Sequence, residues 1–181
     1  MKGDERLRLF CALLLPSASV DEVVAWQEAE LASAREQLRI VPRENLHVTL
    51  AFVGSTPAEQ VREVVDGLQE ACAGQEPPVL SALRYRETRS VAMIALSDEG
   101  ERAERIAARL FDALEERGLY RREERKWLPH VTVARFRTRP RLSTPVPELG
   151  EIVLSDAAVM ISRLRPGGAQ YEVFETVSLG G

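Results

Sequence analysis

An α+β fold is predicted, with mainly antiparallel sheet, helices on the outside and two similar lobes facing each other. Three observations carry this. Strand-like and helix-like segments alternate irregularly, without the repeated crossovers of a parallel sheet. Several strand-like segments arrive in hairpin-like pairs. The tripeptide His-Val-Thr occurs twice, as His47-Val48-Thr49 and His130-Val131-Thr132, and these are the chain's 2 histidines. Each copy lies in a strand-like run tied to helices, which points to two similar lobes facing each other.

Arg6 to Leu15 is an apolar stretch closed by Pro16 and reads as a strand. Ser19 followed by Glu22 forms a capping box, opening a helix to about Leu38 with Val23, Trp26, Leu31 and Leu38 among its apolar positions. Leu46 to Val53 alternates and stops at Gly54, as a strand does. Thr56-Pro57-Ala58-Glu59 then supplies a cap, a proline for the first helical position and a capping acid. The helix it opens carries Val61, Val64, Val65 and Leu68 on one face and ends near Gly74. Pro77-Pro78 breaks the chain before two strands, Val79 to Arg86 and Ser90 to Leu96. A third helix, about Glu99 to Arg117, stops at Gly118. The charged segment Leu119 to Lys126 is expected at the surface, ahead of the second His-bearing strand, Leu128 to Phe136. A proline-rich connection, Pro140 to Pro147, leads to two closing strands, about Ile152 to Leu164 and Gln170 to Leu179. Between them Arg165-Pro166-Gly167-Gly168 is a strong turn signal.

The 181 residues suit one two-lobed domain, residues 1–181, with a sizeable core. With 45% hydrophobic and 29% charged residues, the composition excludes disordered, collagen-like and disulfide-rich classes. The apolar run Leu9 to Leu15 is far too short to span a bilayer and lacks a cleavage signal, so no membrane partner is expected. Cys11 and Cys72 have no close spacing and imply neither a disulfide framework nor a zinc site. A cytoplasmic monomer is the default. The formal net charge of −4 hides an asymmetry: from Arg121 to Arg141 stand eight basic residues against Glu123 and Glu124. That cluster brackets the second histidine. It suits a phosphate-bearing ligand, and it equally suits a solvated basic face.

Histidine is the side chain whose ordinary pKa lies nearest neutrality, so a pair can act as proton donor and proton acceptor. Side chains two apart in a strand share a face, so His47 projects with Thr49 and His130 with Thr132. Were the two strands to meet, two imidazoles and two hydroxyls would converge. A phosphodiester needs such a set: one neutral imidazole takes a proton from water, and one imidazolium protonates the leaving alkoxide. The hydroxyls hold the non-bridging oxygens as charge builds. Taken singly, a strand histidine is more often a satisfied core or rim residue, and threonine is a good strand former anyway. Two copies of one motif, with no histidine elsewhere, favour catalysis. A metal site lacks a third ligand at sensible spacing, and threonine is a poor one, so no metal and no cofactor are expected.

Several segments resemble the two-histidine phosphoesterases, and among them the RNA 2′,3′-cyclic phosphodiesterases, also called 2′-5′ RNA ligases. Arg6 to Ala12 with Pro16 is similar to the family's opening strand, and Val41 to Gly54 resembles its first motif. Pro129 to Arg135 resembles its second, and Ser162 to Val173 its closing hairpin. The resemblance implies a bilobal fold whose cleft is lined by both motifs. It implies metal-independent opening of a ribose 2′,3′-cyclic phosphate to a 2′-phosphate, with joining or cleavage of 2′-5′ RNA linkages as related chemistry. RNA or nucleotides ending in that cyclic phosphate would be the partners. His47 would be the general acid and His130 the general base, a division that near symmetry leaves open. Thr49, Thr132 and Arg135 match phosphate-binding positions. Strict alternation sets Arg135 on the face opposite His130, so it joins the site only at a strand end, through a bulge, or by its reach. Its counterpart in the first motif is Phe52. Phe10 and Tyr171 are candidates for stacking on a base, although strand aromatics are more often core.

Two rivals remain. One is a phosphodiesterase for another cyclic phosphate, since loops around the cleft set substrate choice. The other is a noncatalytic RNA or nucleotide binder, which two intact histidines disfavour.

Overall fold

The computed structural model describes residues 5–181. Strand β1 (Arg6–Leu14) leads into helix α1 (Ser17–Glu30), the two-residue strand β2 (Arg39–Ile40) and the first His-bearing strand, β3 (His47–Pro57). Helix α2 (Val61–Cys72), the hairpin of β4 (Val79–Glu87) and β5 (Val91–Asp98), and helix α3 (Arg102–Glu116) follow. The second His-bearing strand, β6 (His130–Arg135), precedes the short β7 (Ile152–Val153) and the closing hairpin of β8 (Asp156–Arg165) and β9 (Gly168–Ser178).

The strands lie in the order β7-β4-β5-β6-β3-β1-β8-β9, with β2 added beside β6, and the pairings are antiparallel. The two expected sheets are thus halves of one ladder. They meet at a single residue pair, Val48 with Val131, the central residues of the two His-Val-Thr motifs. Both histidines sit beside this seam.

Each half is built around a strand–helix–strand unit, β1-α1-β3 and β5-α3-β6. The helices cross the seam. Trp26 of α1 packs 6.0 Å from the ring of Tyr85 on β4, and buried Gln27 donates from Nε2 to the carbonyl of Val133 on β6. Helix α3 packs on β3 as well as on β5, and against α2. The two helices approach closely at Gly67, where even a methyl group would come within 3.1 Å of Leu114.

Helix starts differ from expectation in their caps. Helix α1 begins at Ser17 behind Pro16 with no side-chain cap, so Ser19 lies inside it. It ends at Glu30, yet Leu31 and Leu38 remain buried because the chain curls on over the same face through a 3₁₀ turn at Ala32–Ala34. Thr56 belongs to β3, where its hydroxyl donates to the Gly54 carbonyl, and a 3₁₀ turn at Ala58–Gln60 precedes α2. Helix α3 is capped from a distance: the Asp98 carboxylate accepts from the backbone N–H groups of Ala103 (3.2 Å) and Glu104 (2.8 Å). Such a cap contributes about 1 kcal/mol.

The proline-rich connection after β6 has no regular structure and is fastened instead. The Glu87 side chain, 2% exposed, accepts from the Tyr85 hydroxyl, Arg139 Nε, and the backbone N–H groups of Arg141 and Leu142. Burial pushes its carboxyl up, but these hydrogen bonds outweigh that and hold its pKa below the ordinary value. Trp26 Nε1 donates to the carbonyl of Pro145 further along the same connection.

Candidate active site

Both His-bearing strands carry the same irregularity. Along β3, Ala51 pairs with Cys11 and Thr49 with Ala12, leaving Leu50 without a partner. Along β6, Ala134 pairs with Ala92 and Thr132 with Met93, leaving Val133 without one. An extra residue resets the alternation of a strand. The burial pattern of His47–Phe52 and His130–Arg135 is consequently identical, with the first, third and last residues of each six facing outward. The bulge answers the question posed by Arg135. It lines the same cleft as His47, Thr49, Thr132 and Phe52, a cleft of about 870 Å³ counted to its open mouth. Antiparallel pairing of Val48 with Val131 sets His47 across from Thr132, and Thr49 across from His130.

The imidazoles are held alike. His47 Nδ1 lies 2.8 Å from the carbonyl oxygen of Asn45, and His130 Nδ1 lies 2.8 Å from that of Leu128. A carbonyl only accepts, so each Nδ1 carries the hydrogen and each Nε2 is the nitrogen free to exchange a proton. The Thr49 hydroxyl lies 2.9 Å from His47 Nε2 and donates to it when that ring is neutral.

Their surroundings differ. His47 sits in an aromatic corner, with Phe10 at 4.9 Å and Tyr171 at 5.4 Å between ring centroids. Burial depresses its pKa to about 4, the Asn45 carbonyl opposes this, and the charges of His130 and Arg135 push it further down. The His130 pKa is also lowered, again chiefly by burial, with the Leu128 carbonyl opposing and Arg125 and Arg86 adding to the fall. Positive charge therefore reaches the seam from both halves. An anion is what would relieve it.

Phe10 is 2% exposed, and its ring packs between His47, Tyr171 and Phe52, so it buttresses the imidazole. Tyr171 and Phe52 are the aromatic rings left partly open to the cleft, and the Arg8 guanidinium lies 4.7 Å over Phe52. The basic cluster divides. Arg122 is bonded to Asp112 and Glu115, Arg125 to Glu123, Lys126 to Glu104 and Arg139 to Glu87, as a solvated face would be, while Arg135 turns into the cleft.

Sequence reading missed Arg39, which lies beside Arg135 on β2 and also lines the cleft. A two-residue strand has no periodicity to betray it. It also missed the part played by Asn45, whose side-chain Nδ2 donates to the Ala169 carbonyl (2.8 Å) at the β8–β9 tip while its backbone oxygen holds His47. Gly168 at that tip has φ +128, and any side chain there would approach Arg39 to within 3.7–3.8 Å. Among the described residues no group of three or more His, Cys, Asp or Glu side chains is gathered to hold a metal ion. Nor is any helix among them long and apolar enough to cross a membrane.

Two His-Val-Thr motifs on paired strands, with Arg135, Arg39 and the open rings of Phe52 and Tyr171 in the cleft beside them, mark a candidate site in an α+β fold. The 2′-5′ RNA ligase superfamily matches residues 15–165, and the chain belongs to that family. Its relatives include the RNA 2′,3′-cyclic phosphodiesterase of Thermus thermophilus, 31% identical and aligned over 97% of this chain and 91% of its own length. The protein of the same name from Methanothermobacter thermautotrophicus is 29% identical, over 96% of this chain and all of its own. Among solved structures, E. coli LigT complexed with 3′-AMP superposes with a TM-score of 0.80, at 21% identity over 97% of this chain and 99% of that one. Thermus thermophilus TT0787 also gives 0.80, at 26% identity over 97% and 99%.

Proposed function

We propose that this chain is a metal-independent RNA 2′,3′-cyclic phosphodiesterase that opens a terminal ribose 2′,3′-cyclic phosphate to a 2′-phosphate. The observation that carries this reading is the pairing of the two His-Val-Thr strands at Val48 and Val131, which brings to one seam two imidazoles whose Nδ1 atoms are held by backbone carbonyls, with Arg135 in the adjoining cleft. The names of the relatives support the substrate class. In the proposed step water attacks phosphorus and its proton passes to His130 Nε2. The P–O3′ bond breaks, and His47 Nε2–H protonates the departing O3′. Thr49, Thr132 and Arg135 hold the non-bridging oxygens, and the terminal base stacks against Tyr171, with Phe10 behind it. If the 5′-hydroxyl of another RNA end attacked phosphorus in place of water, losing its proton to the base while the P–O3′ bond broke and O3′ was protonated, the product would be the 2′-5′ linkage of the joining reaction.

One observation favours exchanged roles. In the free chain His47 is depressed to about 4, and its neutral form suits a base. With His47 as acid, the bound phosphate anion must restore its proton. A substrate with sulfur at the departing 3′ position separates the two assignments, because a thiolate leaves without a proton donor. The variant lacking the acid regains turnover on that substrate, and the variant lacking the base does not.

The principal test is hydrolysis of a nucleoside 2′,3′-cyclic phosphate with a chelator present, resolving 2′- from 3′-phosphate, alongside His130→Ala. Exclusive 2′-phosphate that vanishes in the variant is the expected result. Activity lost to the chelator overturns the metal-independent mechanism. No turnover of any cyclic phosphate, with ligand binding retained, favours the binding-module reading.

A further inference from the structure

The segment Ile40-Val41-Pro42 walls the catalytic cleft, and it also walls a second hollow of about 520 Å³ formed with the end of α1. The hollow's other apolar walls are Val24 and Leu31, with Ala32 at its mouth. One polar group is fixed in this lining. Gln27 is 5% exposed, and its Nε2 is committed to the carbonyls of Val41 (3.0 Å) and Val133 (2.8 Å). Both bonds use the amide nitrogen, which fixes Oε1 as the acceptor of that side chain. The rim carries two arginines and one carboxylate. Arg35 is exposed and Arg43, half-exposed, is shared with Asp21; Glu28 is the acidic residue at the rim, and Arg39 stands in the adjoining cleft.

Apolar walls, one fixed acceptor and guanidinium groups at the mouth match a nucleobase with its phosphate. The walls take the flat faces, Gln27 Oε1 takes a base N–H, and arginine takes the phosphodiester or stacks on the base plane. Continuity with the cleft through Ile40–Pro42 says which base. Resting on the cyclic-phosphate reading, we infer that this hollow receives the base of the nucleotide immediately upstream of the terminal cyclic phosphate. The substrate is then RNA of at least two nucleotides, and a free nucleoside cyclic phosphate fills only half of the binding surface.

The test compares a nucleoside 2′,3′-cyclic phosphate with a dinucleotide ending in the same group, for the wild type, Arg35→Ala and Ala32→Trp. Both substituted residues are exposed and lie outside the catalytic cleft. The wild type is expected to prefer the dinucleotide by about tenfold or more in kcat/KM, the usual contribution of one packed base. Ala32→Trp, which fills the hollow, erases the preference, and Arg35→Ala reduces it severalfold. Both leave the mononucleotide rate unchanged. A wild type without preference overturns the inference, as does a preference that survives both variants or a loss shared equally by the two substrates. Calorimetric binding of the mono- and dinucleotide 2′-phosphates decides independently of turnover. Tighter dinucleotide binding that Ala32→Trp abolishes sustains the hollow as a subsite even if neither cyclic phosphate is hydrolysed, a result that would count against the catalytic reading alone.

Discussion

The two His-Val-Thr strands have the same backbone and different neighbours. Each has a bulge one residue after its threonine, each imidazole donates from Nδ1 to the carbonyl two residues before it, and each sixth residue turns into the cleft. In the first half that sixth residue is Phe52, and the histidine is enclosed by Phe10 and Tyr171. In the second half it is Arg135, and the histidine feels Arg86 and Arg125. Backbone repetition delivers two equivalent nitrogens to one seam, and side-chain divergence makes them unequal. Enclosure depresses His47 to about 4, while His130, also lowered chiefly by burial, has Arg125 and Arg86 rather than Arg135 adding to the fall. Proton donor and acceptor need that inequality, and a perfectly symmetric pair would not supply it.

The largest effects test the equivalence. His47→Ala and His130→Ala are each expected to lower turnover by ~10²–10⁴-fold, the usual worth of a positioned acid or base. The double variant should fall little further, because the residues act as one unit. Steady-state rates on a cyclic phosphate check this, and a single variant within tenfold of wild type breaks the comparison. Intermediate effects test the divergence at the sixth position. Arg135→Ala should lower kcat/KM by roughly 10–100-fold, as loss of a charge-assisted hydrogen bond does. Phe52→Ala should act severalfold and mainly on KM, and equal losses in kcat would remove the distinction.

The smallest effect concerns stability. His47 has a folded pKa of about 4, so between pH 6.5 and 4 the unfolded chain binds the proton that the folded chain refuses. Stability from this group is complete above pH 6.5 and lost as the pH falls toward 4. Urea midpoints across that range should drop less in His47→Gln than in wild type. An unchanged slope would contradict the enclosure of His47.

Much of this was legible in the residues. Paired His-x-Thr strands, the turn at Arg165–Gly168 and the stop at Gly118 follow from side-chain alternation and glycine chemistry, which act locally. The bulges did not, because Leu50 and Val133 are ordinary strand residues and the skipped pairing depends on the partner strand. Arg135 could therefore be suspected but not oriented. Arg39 was invisible because β2 exists only by borrowing a place beside β6. Ser19 and Thr56 looked like caps, but Pro16 and a 3₁₀ turn set those helix starts.

The crossing of α1 and α3 over the seam has a consequence for how the molecule comes apart. One valine pair is a slender join between two half-sheets, and alone it would let them unfold separately. Trp26 and Gln27 seal the second half from a helix that belongs to the first, and α3 returns the exchange by covering β3. Neither half can melt without stripping the apolar cover from the other. The two half-sheets share one apolar cover, and the histidines stand beside the join that this cover spans.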